Sequence, residues 1–473
     1  MKNYNILLTK PSCVWVYTNF IGTRIDSSYY RSESLEDLQV VLDYSSCFKI
    51  SEFFEVSKLA GFEYTKYFTQ ENLAKGTVIA LTSQNILENN IDFSNVIKIP
   101  VDIHNVLNRS KVMSKDILLS YTGQYRRACV VPDNLDLHLG PNICRLRKKK
   151  EINEYYVSTF LNSKYGQSIL DREKTVSAQP TVNMSRIRDI TIPIPSQEIQ
   201  KYIGDKVRRA EELREEAKAA KKDYEYIIQD IYSDSNIIKF PKGFYTVQSH
   251  DFDDKRLRID SNFYNPLYKN GKLNSYKNVK LSKLVDLKKN CKIQAEEEYA
   301  YFEIGDLSTS NILNGKERVK GSELPGRAKL KLEKNDIIVS LVQESIEVTS
   351  YVDKELHNTL TTNGCAVLMP KDKSLSGYLY AIISSKYFIA QKCRYISGTN
   401  IRSMSKDDLL DMRVPLVEGG TLTKVNELVK KEFACLRESK KLTLEAKQDV
   451  EDLIEGKFDM SKLNNESSTE SRC

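Results

Sequence analysis

Residues 24–30 read Arg-Ile-Asp-Ser-Ser-Tyr-Tyr, and residues 258–264 read Arg-Ile-Asp-Ser-Asn-Phe-Tyr. This is the first of five short matches that recur in the same order and at a nearly constant separation along the chain. The other matches pair 83–87 with 309–313, 115–120 with 335–340, 163–165 with 385–387, and 184–195 with 404–415. Self-similarity at a nearly fixed offset predicts an internal tandem repeat. The alternative is that these are generic strand and turn sequences.

Each copy closes with a short β-branched strand, and a long charged helix is predicted after it, over 196–232 and over 418–456. Apolar or small residues recur at heptad spacing along both helices. In the first helix they are Ile203, Ala210, Leu213, Ala217, Ala220 and Tyr224, and in the second they are Leu422, Val425, Val429, Leu436, Ala446 and Val450. This pattern favours two helices that pack closely on each other. The alternative is two solvated helices that each cover their own domain.

The predicted layout is a block at 1–195, a helix at 196–232, a linker at 233–236, a second block at 237–417, a helix at 418–456, and a polar tail at 457–473. The tail is rich in Ser and Glu and is expected to be disordered. Within each block, short apolar runs predict strands, and helical stretches at 154–170 and 377–393 lie between them. The sequence thus predicts a mixed α/β (α+β) block that is used twice.

Composition supports a globular protein. The 473 residues are 40% hydrophobic and 29% charged, with a formal net charge of +7, a balance that permits nucleic-acid binding without requiring it. No run of 18 apolar residues predicts a membrane span. The N-terminus lacks the apolar stretch and cleavage pattern of a secretory signal, so we expect a cytoplasmic protein.

Motifs for catalysis are missing from the sequence. The nine cysteines form no C-x-x-C pair and the four histidines have no metal-ligand spacing, which argues against a zinc ribbon, a disulfide scaffold or a metal centre. There is no phosphate-binding P-loop, and no acidic-x-Lys nuclease pattern follows Pro132-Asp133. Asn265-Pro266-Leu267-Tyr268 resembles an adenine-methylating N-P-P-Y loop only superficially, because leucine replaces the second proline. We therefore expect no catalytic residue, metal or cofactor in this chain.

Basic, amide and hydroxyl side chains cluster instead. Arginine can pair bidentately with guanine and glutamine with adenine, whereas lysine runs more often hold phosphates. The candidate DNA contacts in the first block are Thr122, Gln124, Tyr125, Arg126, Arg127, Arg147, Lys148, Lys149, Arg186 and Arg188. Those in the second block are Arg318, Lys320, Arg327, Gln343, Ser345, Arg394, Asn400, Arg402 and Lys406. For Lys148 and Lys149 the alternative is a solvated loop.

Taken together, these motifs resemble the specificity subunit of type I restriction-modification enzymes. The resemblance rests on R-I-D-S-x-[YF]-Y at the start of each half and on the D-I-[LI]-[LV]-S strands at 116–120 and 336–340. It also rests on Ser397-Gly398-Thr399-Asn400-Ile401, which leads through Met404-Ser405 to Val414-Pro415. The first half departs from this pattern with Ser177-Ala178-Gln179 in place of S-G-T, and the second half lacks the P-x-P-x-Q ending.

The resemblance implies two target-recognition domains separated by two helices that pair in an antiparallel coiled coil with a pseudo-two-fold axis. It also implies a chain that binds double-stranded DNA at a bipartite target and carries no catalytic residues. Partner subunits would then supply the chemistry: two methyltransferase subunits using S-adenosylmethionine for adenine-N6 methylation, and a restriction subunit using ATP and Mg. Three alternatives stay open: a single-chain methyltransferase or endonuclease, a coiled-coil scaffold without DNA contact, and a related phage-defence system that uses the same module.

Overall fold

The computed structural model describes residues 26–122, 126–175, 179–232, 246, 248, 261–264, 276–307, 313, 316–398, 400 and 402–466. Predictions that concern 24–25, 123–125, 177–178, 233–236, 258–260, 265–268, 309–312, 399, 401 and 467–473 lie outside these residues. The chain divides into two compact units. Unit 1 comprises 1–212 with 439–473, and unit 2 comprises 213–438. Each unit mixes helices and sheets, so the expectation of two tandem α/β domains is confirmed.

The elements from the first described residue to the end of the first long helix are as follows. Strands β1–β12 are Cys47–Lys49, Phe54–Lys58, Val78–Leu81, Ile86–Leu87, Asn90–Ile91, Ile97–Ile99, Lys111–Val112, Ile117–Ser120, Ala128–Val130, Leu137–Leu139, Ile143–Lys148 and Thr191–Pro193. Helices α1–α9 are Ser32–Leu42, Ile50–Phe53, Gly61–Tyr67, Gln70–Ala74, Val101–Val106, Glu154–Asn162, Lys164–Arg172, Met184–Asp189 and Gln197–Ile231.

The remaining elements continue in chain order. Strands β13–β22 are Lys277–Lys280, Val285–Leu287, Glu298–Phe302, Arg318–Lys320, Ala328–Lys331, Ile337–Ser340, Thr349–Tyr351, Thr359–Thr362, Cys365–Pro370 and Arg413–Leu416. Helices α10–α15 are Ser261–Tyr264, Ser376–Ile383, Lys386–Tyr395, Lys406–Asp411, Gly420–Ile454 and Ser461–Glu466.

Helix α15 corrects the prediction of a disordered tail for residues 457–466, while 467–473 lie outside the described residues. The side chains of Phe458 and Leu463 pack against the core of unit 1, and the Lys462 ammonium pairs with the buried Asp449 carboxylate at 2.7 Å. These apolar and ionic anchors are spaced within a mainly polar sequence, so composition alone does not show them.

The two units have the same strand order. Unit 1 contains the four-stranded sheets β6-β3-β10-β7 and β2-β11-β8-β9, and unit 2 contains β16-β15-β20-β17 and β14-β21-β18-β19. In each unit one sheet has a single parallel pair, β3 with β10 or β15 with β20. A separate two-stranded sheet pairs the first strand of the unit with its last, β1 with β12 or β13 with β22. The repeat read from the sequence therefore has a counterpart in topology.

The D-I-[LI]-[LV]-S match begins the central strand of each unit with the same turn. Lys115 and Asn335 have positive φ angles of 64° and 75°. The carboxylates of Asp116 and Asp336 then accept a hydrogen bond from the backbone N–H three residues earlier, at 2.7 and 2.8 Å. Both carboxylates are buried and each pairs with a cation. This motif is accordingly a folding element that fixes how the central strand starts.

The structure also corrects the alignment of the last sequence match. Asn183 holds the N-cap position of α8, and Ser405 holds that of α13. We call the separation between these two N-caps the structural offset. It places Met184 opposite Lys406, so the match of 184–186 with 404–406 is out of register. Methionine and serine next to a helix start occur in both copies, which explains the shifted alignment in the sequence.

Most of the second segment in the match of 83–87 with 309–313 lies outside the described residues, but the role of Asn85 has a described counterpart elsewhere. In unit 1 the Asn85 side chain caps a short turn after β3 by accepting from the Thr82 N–H at 2.8 Å. In unit 2 the Asp306 carboxylate does the same for the Glu303 N–H after β15, also at 2.8 Å. The structural counterpart of Asn85 is thus Asp306, which the sequence comparison passes over because the amide has become a carboxylate.

Both units contain a segment of each long helix. In unit 1 the first part of α9 packs against the last part of α14: Lys206 pairs with Asp449, and the Ser439 hydroxyl donates to the Ala210 carbonyl at 2.7 Å. The partner number falls as the number along α9 rises, so the two segments run antiparallel.

Unit 2 contains the other two segments, also antiparallel. The Tyr224 hydroxyl donates to the buried Glu432 carboxylate at 2.9 Å, and the Cys435 thiol lies 3.9 Å from a Glu216 carboxylate oxygen.

The predicted seam residues that are buried are Ile203, Ala210, Leu213, Ala217, Ala220, Tyr224, Val425, Val429, Ala446 and Val450, and the half-buried ones are Leu422 and Leu436. Polar groups at Glu432 and Ser439, which interrupt the apolar pattern of the second helix in the sequence, are hydrogen-bonded parts of these contacts.

Two glycines let the long helices approach the globular part of each unit. A Cβ on Gly204 of α9 would lie 2.4 Å from the Asn153 amide oxygen, and a Cβ on Gly377 would lie 2.7 Å from the amide oxygen of Asn426 on α14. Gly204 and Asn426 occupy equivalent positions at the structural offset. The two units therefore make the same close contact with the glycine and the asparagine exchanged.

Candidate nucleic-acid interface

In unit 2 the loop after β18 pairs with the loop before α13. Val342 forms an isolated β-bridge with Ser403, and the Gln343 N–H donates to the Arg402 carbonyl at 2.9 Å. Ser397 also bridges Ser403, so the second loop closes on itself. This pairing brings together candidates from two separate sequence regions, Gln343 in one loop and Arg402 in the other.

Unit 1 has the same arrangement after β8. Thr122 forms a β-bridge with Thr181, and the Val182 N–H donates to the Tyr121 carbonyl at 2.9 Å. We call these segments the paired loops: 121–122 and 126–127 with 175 and 179–182 in unit 1, and 341–348 with 397–398, 400 and 402–404 in unit 2. Their backbone frame is alike in the two units, whereas their residues differ.

Side chains in the unit 2 paired loops have free polar capacity. The amide oxygen of Gln343 is buried and has no hydrogen-bond partner among the described residues. Asn400 is exposed, and Arg402 is half-buried without an ion pair in the described part of the chain. The Ser345 hydroxyl, by contrast, is bonded to Ser340 at 2.7 Å. Amide and guanidinium groups can read base edges in a major groove, and the Gln343 amide oxygen would have to leave its buried position to do so.

In unit 1, Arg126 has an internal role. Its side chain is 4% exposed, and its guanidinium lies 3.2 Å from the Asp171 carboxylate. Its carbonyl accepts a hydrogen bond from the Gln167 amide at 2.5 Å. A side chain so deeply buried cannot reach a ligand without rearrangement, which corrects the expectation of a direct contact. Arg127 is half-buried, and its N–H donates to the Ser120 hydroxyl at 2.8 Å.

The basic residues at the end of β11 and just after it have partners within unit 1. Two nitrogens of the Arg147 guanidinium donate to the Asp116 carboxylate, at 2.9 and 2.7 Å, and this hydrogen bonding raises the pKa of Arg147. The Lys148 ammonium lies 2.7 Å from the Glu154 carboxylate, and Lys149 donates to the Ser51 carbonyl. A phosphate would have to compete with these partners. A DNA contact at these residues stays a prediction.

Other basic candidates also have partners but lie outside the paired loops. The pairs, with their distances, are Arg186 with Glu173 at 3.7 Å, Arg188 with the Val56 carbonyl at 3.0 Å, Arg318 with the Glu298 carbonyl at 3.0 Å, Lys320 with Glu296 at 3.1 Å, and Arg327 with Glu303 at 2.6 Å. Exposed ion pairs such as Lys320–Glu296 and Arg327–Glu303 are weak, so a polyanion can compete for these two side chains. Lys406 begins α13 next to the unit 2 paired loops and has no ion pair within the described residues.

Arg394 anchors the opening motif of unit 2. Its guanidinium lies 4.2 Å from the centre of the Phe263 ring, and its Nε donates to the Phe263 carbonyl at 2.7 Å. In unit 1, Arg172 makes the same two contacts with Tyr29, at 3.6 and 3.1 Å. Arg394 is half-buried, and its contact with DNA stays a prediction. The two arginines are separated by the structural offset, and each contacts the aromatic residue at the [YF] position of R-I-D-S-x-[YF]-Y. These two features are the signals that identify both arginines as anchors of the motif.

Two further findings concern the residues that the structure describes. No helix among them is long and apolar enough to cross a membrane. No group of three or more His, Cys, Asp or Glu side chains among them could hold a metal ion.

Comparison with known proteins finds a family match over part of the chain. Residues 45–226 match the family model for the type I restriction modification DNA specificity domain. The chain is similar to type I specificity subunits. The resemblance read from the motifs is thereby confirmed, and the matched segment covers most of unit 1 and the start of unit 2.

A curated relative and two solved structures extend this comparison. The chain is 28% identical to the EcoBI specificity subunit of Escherichia coli over 129 residues, which is 27% of either protein. The crystal structure of a type I restriction-modification S subunit from M. genitalium covers 88% of this chain with 97% of its own, at 14% identity and a TM-score of 0.43. The HsdS subunit from Thermoanaerobacter tengcongensis covers 87% with 97% of its own, at 15% identity and a TM-score of 0.28.

Proposed function

We propose that this chain is the non-catalytic DNA-recognition subunit of a type I restriction-modification complex, and that it reads a bipartite target in double-stranded DNA. The observation that carries the proposal is that the two units share one backbone arrangement but differ in the side chains of their paired loops. Both units have the same strand order, and both place paired loops at the same point. Two alike frames with unlike loop side chains are suited to reading two different half-sites.

The two long helices would set the distance between the half-sites. Both helices have 35 residues, so each is about 52 Å long at ~1.5 Å per residue. The antiparallel contacts within each unit support a continuous antiparallel coiled coil with a pseudo-two-fold axis. Duplex DNA has two-fold axes as well, so a subunit with this symmetry can present one unit to each half-site.

Partner subunits would perform the reactions, in the cytoplasm. Equivalent surfaces on a pseudo-symmetric helix pair can each dock one adenine-N6 methyltransferase subunit, which gives two copies with their S-adenosylmethionine. A restriction subunit would add translocation and cleavage with ATP and Mg. The sequence supports this division because its Asn-Pro-Leu-Tyr segment departs from the methylating loop and no phosphate-binding loop is present.

The experiment is to co-express the full chain with its methyltransferase subunits and map N6-methyladenine across a genome. We expect a two-part motif with an unread central gap. Deleting one heptad from α9 and the facing heptad from α14 should change the gap and leave both half-sites unchanged. A contiguous motif, or a gap that does not change, would contradict the proposal.

Two further measurements separate the alternatives. Binding of duplex DNA must weaken as salt rises, because neutralised phosphates release counterions. A scaffold without DNA contact would show no such binding. A single-chain methyltransferase would bind S-adenosylmethionine without partner subunits, which the proposal does not allow.

A further inference from the structure

A buried lysine is hydrogen-bonded to the unit 2 paired loops. Lys392 lies on α12 and has 0% exposure. Its ammonium donates to the carbonyl of Ile346, the residue that ends the short 3-10 helix Gln343–Ser345. This is the only hydrogen bond of that ammonium among the described residues. One buried cation therefore contacts the backbone of the loop that carries Gln343.

The equivalent helix of unit 1 supports its loop in a different way. Leu170, which corresponds to Lys392 at the structural offset, is fully buried in the apolar core. The support comes instead from Gln167, whose amide donates to the Arg126 carbonyl, and from Asp171, which pairs with the Arg126 guanidinium. In both units, then, one helix contacts the same loop through polar groups, but only unit 2 uses an amine.

We propose that Lys392 is a positioning residue for the unit 2 paired loops and so sets the base preference of one half-site. Without the ammonium, the turn Gln343–Ser345 loses its tie to α12. It keeps the bonds of Ser345 to Ser340 and of Gln343 to Arg402, together with backbone bonds inside the loop 341–348. The amide of Gln343 would then no longer be held in one orientation. This inference rests on the proposed function of the paired loops in DNA reading.

The surroundings of Lys392 argue against a purely stabilising role. Burial lowers its pKa to about 8, against the opposing influence of Cys393, Glu347 and Cys365. Cys393 is on the same helix as Lys392, Glu347 lies in the paired loop 341–348, and Cys365 begins β21. Lys406 of α13 is a further charge that acts on Cys365. A buried ammonium with one acceptor opposes folding, and a leucine fills the equivalent place in unit 1, so packing alone favours an apolar residue here.

The test compares Lys392→Met with Leu170→Met in the full methyltransferase complex. Both variants place the same unbranched apolar side chain at equivalent positions. For each we would measure binding to duplexes with a mismatched base pair in either half-site, together with the melting temperature. We expect Lys392→Met to melt no lower than the parent, to lose about 10-fold discrimination at one half-site, and to keep it at the other. Leu170→Met should keep discrimination at both.

The pH dependence gives a readout that a structural role would not move. In the parent complex, discrimination at the half-site read by unit 2 should weaken between pH 7 and pH 9, as the ammonium loses its proton and its hydrogen bond weakens. In Lys392→Met it should be independent of pH. Unchanged discrimination in Lys392→Met, or equal loss at both half-sites, would overturn the role of Lys392. Absence of two-part specificity in the parent would instead overturn the proposed function.

Discussion

A buried histidine pair should make unit 1 sensitive to mild acid. His138 on β10 is fully buried, and its Nδ1 lies 2.8 Å from the Leu139 carbonyl oxygen. Its ring centre is 5.4 Å from that of His104, which is also buried. Burial lowers the pKa of His138 from 6.5 to about 4, and burial likewise lowers the pKa of His104. Both rings are thus held neutral in the folded protein.

The sign and size of the effect follow from this shift. Below pH 6.5 the unfolded chain takes up a proton that folded His138 refuses until about pH 4, so stability is lost as the pH falls through this range. The whole shift corresponds to about 3 kcal/mol, and the part between pH 7.5 and pH 5 to about 2 kcal/mol. His104 contributes in the same direction.

The variant His138→Leu removes the titrating group and introduces the residue found at the equivalent position of unit 2, Leu360. We would measure the free energy of unfolding of unit 1 by urea titration, following hydrogen exchange in the peptide that contains β10. The advantage of the variant over the parent should grow by about 2 kcal/mol between pH 7.5 and pH 5. His357→Leu, which changes an exposed histidine, is the control and should show no such trend. If the difference between parent and His138→Leu does not depend on pH, the reasoning is refuted.

Two other predictions concern buried charges. Asp116→Asn leaves the Arg147 guanidinium without its carboxylate and should lower the free energy of unfolding by about 3 kcal/mol, measured by urea titration; an unchanged midpoint would show that the pair contributes nothing. Arg394→Gln removes the contacts to Phe263 and should cost about 2 kcal/mol in unit 2, whereas Arg402→Gln should leave stability unchanged and weaken DNA binding. The reverse result for these two arginines, in parallel melting and binding assays, would exchange their assigned roles.

Sequence order was enough to predict the duplicated architecture, because a copied domain preserves the succession of its strands and turns. The alignment within the copies was less accurate. Asn85 and Asp306 perform one capping role with different side chains, so the identity of residues gave the wrong partner. The exchange of Gly204 and Asn426 at one helix position likewise conceals an equivalent contact. Such substitutions preserve the local geometry but remove the residue identity on which a sequence comparison depends.

The sequence shows which candidate DNA contacts are charged, but it does not show which of them have partners within the fold. A lysine run such as 148–150 reads as a phosphate contact because its partners lie outside the run: the Glu154 carboxylate at the start of α6 and the Ser51 carbonyl on α2. Arg126 and Arg394 read as loop cations, whereas the fold uses both to hold backbone in place. Lys392 gave no signal at all, since one lysine in an amphipathic helix looks like a solvent-exposed residue. The role of each of these charged residues depends on which residues lie near it in the folded structure.

The division of the chain has a consequence for its synthesis on the ribosome. The core of unit 1 combines Ile203 and Val207, made in the first half of translation, with Ala446 and Val450, made near its end. Unit 2, by contrast, is one uninterrupted stretch and can close its core as soon as residue 438 has left the exit tunnel. The nascent unit 1 therefore keeps an apolar groove exposed until the last part of α14 has been made, by which time unit 2 can already fold. We expect a ribosome-associated chaperone to bind unit 1 for longer than unit 2.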